Sequence, residues 1–120
     1  MLSYLMALGD LVRQPRQVVA LDGEKLLVIK CETGVRVVSG TCPHRGAPLI
    51  DGYVVEGLLI CPWHRSVFDL ETGMPINGPC RQGLIKYPSV ILDGCLFVDR
   101  ESTGRFEETA RQVERVNDAV

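Results

Sequence analysis

Apolar and polar positions alternate in short blocks along most of the chain. From Val18 to Ser39 the sequence reads VVAL, DGEK, LLVIKC, ETG and VRVVS, so each apolar run soon meets a polar break. Runs this short, rich in Val, Ile and Leu, suit strands better than helices. Asp22-Gly23 has the composition of a two-residue hairpin turn, and Thr33-Gly34 is expected to form another. The pattern returns in LIKYPSVILDGCLFVD, where Asp93-Gly94 separates two strands and Pro88 marks an edge or a break. Between these flanks, Tyr53-Val54-Val55 and Leu58-Leu59-Ile60 predict a hairpin closed at Glu56-Gly57, and Val67-Phe68-Asp69 predicts a third strand.

The two ends read differently. Tyr4, Leu5, Leu8, Leu11 and Val12 share one face of a helix across Ser3 to Gln14, with Ser3 as its N-cap. Phe106, Ala110, Val113 and Val120 share a helical face in the tail, which predicts a helix across about 103–119 docked on the sheet or on a neighbouring subunit. Glu107 and Glu108 suit its first turn. No repeat of about 20–50 residues is present. The pattern as a whole predicts an all-β fold, an antiparallel β-sandwich or barrel with short terminal helical segments.

A chain of 120 residues fits one domain spanning 1–120, and 46% hydrophobic residues argue for a packed core rather than disorder. The net charge of −2 gives no reason to expect a nucleic-acid or anionic-membrane partner. No run approaches the ~20 apolar residues that a membrane-spanning helix needs, so no membrane anchor is expected. The start, MLSYLMALGD, lacks a basic region and does not read as a signal peptide. Five cysteines, an odd number, do not suggest a disulfide framework, and a reducing, cytoplasmic setting is expected.

Chemistry concentrates in CPHRGAPLIDGYVVEGLLICPWH. It holds Cys42, His44, Cys61 and His64, and the chain has no other histidine. Each Cys/His pair would sit in a loop, one before the predicted hairpin and one after it, so the two loops could close on one centre. Ordinary core cysteines with surface histidines would satisfy the composition. A structural zinc would accept four N and S ligands, although zinc-finger spacing usually pairs Cys with Cys and His with His. A two-iron, two-sulfur cluster with mixed ligands is the third reading.

CPH and CPWH, separated by the sixteen residues from Arg45 to Ile60, resemble the ligand motifs of Rieske [2Fe–2S] proteins. CPHRGAPL resembles the first cluster loop of that family. CPWH followed by Phe68 and ETG resembles the second loop and the turn after it. NGPC with Leu84 and Tyr87 resembles the loop that covers the cluster. The likeness runs from about Val18 to Asp99. It implies a β base domain carrying a small cluster-binding subdomain, about 41–81. It also implies that Cys42 and Cys61 hold one iron as thiolates while His44 and His64 hold the other. Replacing two thiolates by neutral imidazoles makes such a cluster less negative, so its potential falls in a range of about −150 to +300 mV rather than near −400 mV. The metal-bound rings could also release a proton on oxidation, which makes the potential pH-dependent at alkaline pH.

Ala47 and Trp63 stand where respiratory Rieske proteins carry a disulfide pair. The chain is therefore more similar to Rieske-type ferredoxins and to the Rieske domains of ring-hydroxylating oxygenases. No histidine remains for the second iron of an oxygenase. The resemblance implies a one-electron carrier, not an enzyme, with a flavin reductase as donor and a terminal oxygenase as acceptor. The alternative is a cluster- or metal-containing subunit with a structural or regulatory role in a larger oxidoreductase, like the small subunit of nitrite reductases. Ser66 and Phe68 occupy places where a serine and a tyrosine tune the potential in high-potential relatives, which implies a lower potential here. Arg65 replaces a usual glycine, which implies an ordinary backbone there or a different loop shape; with Arg45 it suits an acidic partner. Pro43 and Pro62 are expected to stiffen the ligand cysteines. Gly46, Gly73 and Gly78 are expected at tight turns or close approaches. Cys31, Cys80 and Cys95 read as small core residues and Trp63 as packing or shielding for the cluster.

Overall fold

The run Leu26–Ile29 has no polar interruption because both of its faces are covered. All four residues are buried, with Leu26 and Val28 in one core and Leu27 and Ile29 in the other. A strand packed on both sides reads as a continuous apolar run. In the computed structural model, which describes residues 1–100, this strand is the middle of the central sheet. That sheet is β2 (Arg16–Leu21), β3 (Glu24–Cys31) and β4 (Gly34–Ser39), all antiparallel.

A second sheet covers the central one from one side. Its strands are β1 (Leu2–Ala7), β9 (Ser89–Leu92) and β10 (Cys95–Asp99), with β10 in the middle. Their shared core holds Leu5, Met6, Leu11, Val35, Val37, Tyr87, Leu96 and Val98 with Leu26 and Val28. A third sheet, on the other side, is a four-stranded meander: β5 (Tyr53–Val55), β6 (Leu58–Ile60), β7 (Val67–Asp69) and β8 (Pro75–Asn77). Leu27, Ile29 and Val38 meet Leu59, Phe68, Leu70 and Leu84 there, and Cys42, Cys61 and Cys80 belong to the same core. Burying one such aliphatic side chain contributes about 1.5–3 kcal/mol.

The expected all-β fold holds, and so do the turns at Asp22-Gly23, Glu56-Gly57 and Asp93-Gly94. Both residues of each have positive φ, as type I′ hairpins require. One turn is displaced: Cys31 pairs with Gly34, so Glu32-Thr33 forms the loop rather than Thr33-Gly34. Pro88 stands just before β9, and its carbonyl accepts the Asp99 N–H at 2.9 Å. β8 had no sequence signal beyond its single Ile76.

The N-terminal helix expected across Ser3 to Gln14 is corrected. Only α1 (Asp10–Arg13) is helical, and Leu2–Ala7 is a strand paired with β10. A bulge between Tyr4 and Met6 buries the neighbours Leu5 and Met6 together. That breaks the period of two and leaves a spacing that mimics a helix. The helix expected across 103–119 lies outside the described residues. No described helix is long and apolar enough to cross a membrane.

Candidate metal centre

The two Cys/His loops are built on the same backbone plan. In the first, the Cys42 N–H donates to the Ala47 carbonyl and the Gly46 N–H donates to the Cys42 carbonyl, both at 2.8 Å. In the second, the Cys61 N–H donates to the Ser66 carbonyl at 2.8 Å and the Arg65 N–H to the Cys61 carbonyl at 3.2 Å. Each loop therefore closes around a cysteine, and each turns at the fourth residue after it. Gly46 (φ 76°) and Arg65 (φ 60°) occupy that turn, both left-handed. The expectation of an ordinary backbone at Arg65 is thus overturned. The arginine adopts the geometry of its glycine counterpart, at a cost of about 1–2 kcal/mol for a residue with a Cβ.

Sheet register brings the loops together. Tyr53 pairs with Ile60, Ile60 with Val67 and Val67 with Asn77, so these four positions mark one end of the meander. The loop Cys61–Ser66 leaves from that end, and the covering loop after Asn77 starts there. Gly52, just before β5, makes the approach possible: a Cβ there would lie 2.1 Å from the Ile60 carbonyl oxygen. The bridge between Thr41 and Pro48 closes the first loop at its base.

Cys42 and Cys61 are buried, 3% and 2% exposed, inside the core. Burial pushes the Cys42 thiol up to about 11, with the neighbouring Cys61 and Cys80 thiols adding to the effect and a backbone hydrogen bond opposing it. Without a metal the Cys42 sulfur is therefore a neutral thiol, and binding a metal releases its proton. The histidines face the other way. His44 is half-buried and His64 exposed, with ring centroids 5.3 Å apart in an edge-to-face arrangement at 77°.

These donors fit a two-metal centre better than a single ion. Two imidazoles bound to one tetrahedral metal at ~2.1 Å have ring centroids roughly 5 Å apart, which matches the histidine pair. The two sulfurs form a separate, deeper pair. Among the described residues no three His, Cys, Asp or Glu side chains gather around one point, as a structural zinc ion would require.

The covering loop is pinned to the second Cys/His loop. The Cys80 N–H donates to Ser66 Oγ at 3.0 Å, which leaves the serine hydroxyl hydrogen free to point elsewhere. A Cβ on Gly78 (φ 94°) would lie 2.5 Å from the Ser66 Cα, so the loop can seat only with glycine there. Gly73 also has positive φ, as a tight-turn role requires. Phe68 is fully buried in the same core as both cysteines.

Of the other cysteines, Cys80 is a core residue, whereas Cys31 and Cys95 are only partly buried. Trp63, expected to pack or to shield the cluster, is 56% exposed.

Sequence reasoning did not find what fixes the opposite end of the meander. Arg36, on β4 and 9% exposed, donates through Nε and Nη2 to Glu71 in the turn after β7. Lys86 Nζ donates to the Glu71 backbone carbonyl. The isolated charged positions in otherwise apolar runs, Arg36 in VRVVS and Lys86 in LIKYP, were the available signal.

Comparison with known proteins agrees with this geometry. A family profile described as Rieske [2Fe-2S] domain matches residues 3–88. The chain is 36% identical over 78 residues to apoptosis-inducing factor 3 of mouse and of human, a match that covers 65% of the chain but only 13% of those proteins. It is 28% identical over 94 residues to the ferredoxin component of a naphthalene 1,2-dioxygenase system of Pseudomonas putida, covering 78% of the chain and 90% of the relative. A ferredoxin from Sphingomonas yanoikuyae B1 shares the fold with a TM-score of 0.73 and 27% identity, over 82% of this chain and 97% of the other. A structure titled as a complex of reduced oxygenase and oxidised ferredoxin in carbazole 1,9a-dioxygenase gives 0.72 and 27%, over 81% and 91%. On this match, and on the paired Cys/His loops that it spans, the chain belongs to the Rieske [2Fe–2S] domain family.

Proposed function

We propose that the chain is a one-electron carrier, a Rieske-type ferredoxin of one domain, in which Cys42 and Cys61 hold one iron and His44 and His64 the other. The observation that supports this best is the sorting of the four side chains. Two sulfurs sit side by side in the core while two imidazoles sit side by side toward solvent. When bound, a [2Fe–2S] cluster accepts and releases one electron. The protein's own part is to keep the thiolate side dry, to fix both loops by backbone hydrogen bonds, and to leave the imidazole edges open to a partner. A flavin reductase as donor and a terminal oxygenase as acceptor agree with the oxygenase systems to which its ferredoxin relatives belong. Five free cysteines agree with a reducing cytoplasm.

The test is direct. Protein purified without oxygen should be brown, should hold about two irons and two acid-labile sulfides per chain, and should bleach with dithionite. Ser in place of Cys42 or Cys61, or Ala in place of His44 or His64, should each abolish the colour. A colourless protein containing zinc would overturn the reading. A second reading, a fixed part of a larger oxidoreductase with a structural role, draws on the relatives of which the chain spans 13%. Co-purification of a larger enzyme on size exclusion would favour it.

A further inference from the structure

We infer that Arg45, Arg65 and Arg81 form a cationic collar around the imidazole edges, and that it docks an electron-transfer protein presenting carboxylates there. The inference rests on the carrier reading and adds the chemistry of the partner. The three loops that meet at this end of the meander are 41–48, 61–66 and 77–83. They contain these three arginines and neither aspartate nor glutamate, in a chain whose net charge is −2. Residues 1–100 hold ten Lys and Arg against ten Asp and Glu, so with these three arginines set aside the rest of them carry a net charge of −3.

All three arginines are exposed, and among the described residues none of their side chains has an ion pair or hydrogen bond. Three other arginines are engaged by the fold. Arg36 is held by Glu71, Arg100 by Asp22 and Glu24, and Arg16 by the Gly52 carbonyl. Arg65 adds a second, independent argument. It holds a left-handed conformation that its counterpart Gly46 adopts freely, yet among the described residues its side chain makes no hydrogen bond or ion pair in return. A strained position kept for an unengaged side chain points to something outside the chain that uses it. Beside it the indole of Trp63 supplies an apolar centre of the kind that anchors interfaces.

The test uses the protein alone, with small oxidants as probes. One electron passes from the reduced protein to hexacyanoferrate(III), giving hexacyanoferrate(II); no bond forms or breaks, and the measurement is made at neutral pH, below the alkaline range in which the rings would release a proton. The described residues extend 39 Å along their long axis, whereas charges are screened beyond about 10 Å at 0.1 M salt. The rate therefore reads the charge near the exit rather than the net charge. Between about 0.05 and 0.5 M salt the rate with hexacyanoferrate(III) should fall at least about threefold, despite the negative net charge. With hexaammineruthenium(III) it should hold or rise. Arg65→Gly and Arg81→Gln should each flatten the fall by about a third, and Arg65→Lys should preserve it. Arg65→Gly should also raise the thermal midpoint by about 4–8 °C, which needs no electron transfer to observe. A rate with the anion that rises with salt, or a slope untouched by Arg65→Gly, would overturn the collar. A protein with no bleachable cluster would instead overturn the carrier reading.

Discussion

At the scale of single residues, the site is limited by space more than by affinity. Gly78 touches the backbone of Ser66, and its φ of 94° suits no side chain. Gly78→Ala should therefore destabilise the fold by about 2–4 kcal/mol, from positive-φ strain plus overlap with backbone that cannot move aside. Urea denaturation measures this, and a loss below about 1 kcal/mol would show that the covering loop can shift. Phe68 poses a chemical question. Tyrosine there would bury a hydroxyl in a core otherwise lined by Leu59, Leu70, Leu84 and the ligand cysteines. The substitution should raise the reduction potential if the hydroxyl reaches a sulfur, as voltammetry would show. An unchanged potential with a clear loss of stability would mean that the hydroxyl is stranded. Both residues were picked out in the sequence by their motif, but only the structure shows how little room each has.

At the scale of elements, the meander is held at two ends by different means. Its metal end is closed by loop hydrogen bonds, and its other end is clamped to β4 through Glu71. The Glu71 side chain is 42% exposed and that of Arg36 10% exposed, so solvent weakens the pair from one side only. Glu71→Gln should cost about 1–2 kcal/mol and Arg36→Ala more, since the latter also empties a packed position. Lys86 carries a pH signature. Burial lowers its pKa below the usual 10.5, with Glu71 opposing the shift and Arg36 reinforcing it. The unfolded chain then keeps the proton to higher pH than the folded one. Between the lowered value and 10.5, rising pH therefore favours the folded state. Relative to Lys86→Met, the native chain should gain stability from about pH 7 to about pH 10, as denaturation at both pH values would show. A constant difference would mean that Lys86 stays hydrated in the fold.

At the scale of the whole molecule, the central sheet separates two cores among the described residues, and Cys42 and Cys61, the proposed ligands, belong to only one of them. Removing the metal should therefore loosen the molecule unevenly. Hydrogen exchange on the cluster-free chain should show lost protection in β5–β8, while β2, β3 and β4 retain theirs. Equal loss in all three sheets would mean that the two cores unfold as one unit. Charge is uneven along the meander itself, with Arg45, Arg65 and Arg81 in the loops at one end and Glu71 at the other.

Sequence alone determined the strands with strong local signals and singled out Cys42, His44, Cys61 and His64 as the proposed ligands. Asp-Gly and Glu-Gly turns require positive φ, and paired Cys/His loops have few other uses, so both are written in neighbouring residues. Tertiary structure decided the rest. Leu2–Ala7 became a strand because β10 offered a partner and a bulge, neither visible in its own spacing. Arg65 became left-handed because hydrogen bonds to Cys61 close its loop as they do around Gly46, whatever the side chain prefers. The clamp of Arg36, Lys86 and Glu71 joins residues far apart in the chain, and only packing brings them into contact. Local pattern encodes what neighbours impose on one another, and the fold settles what distant residues impose.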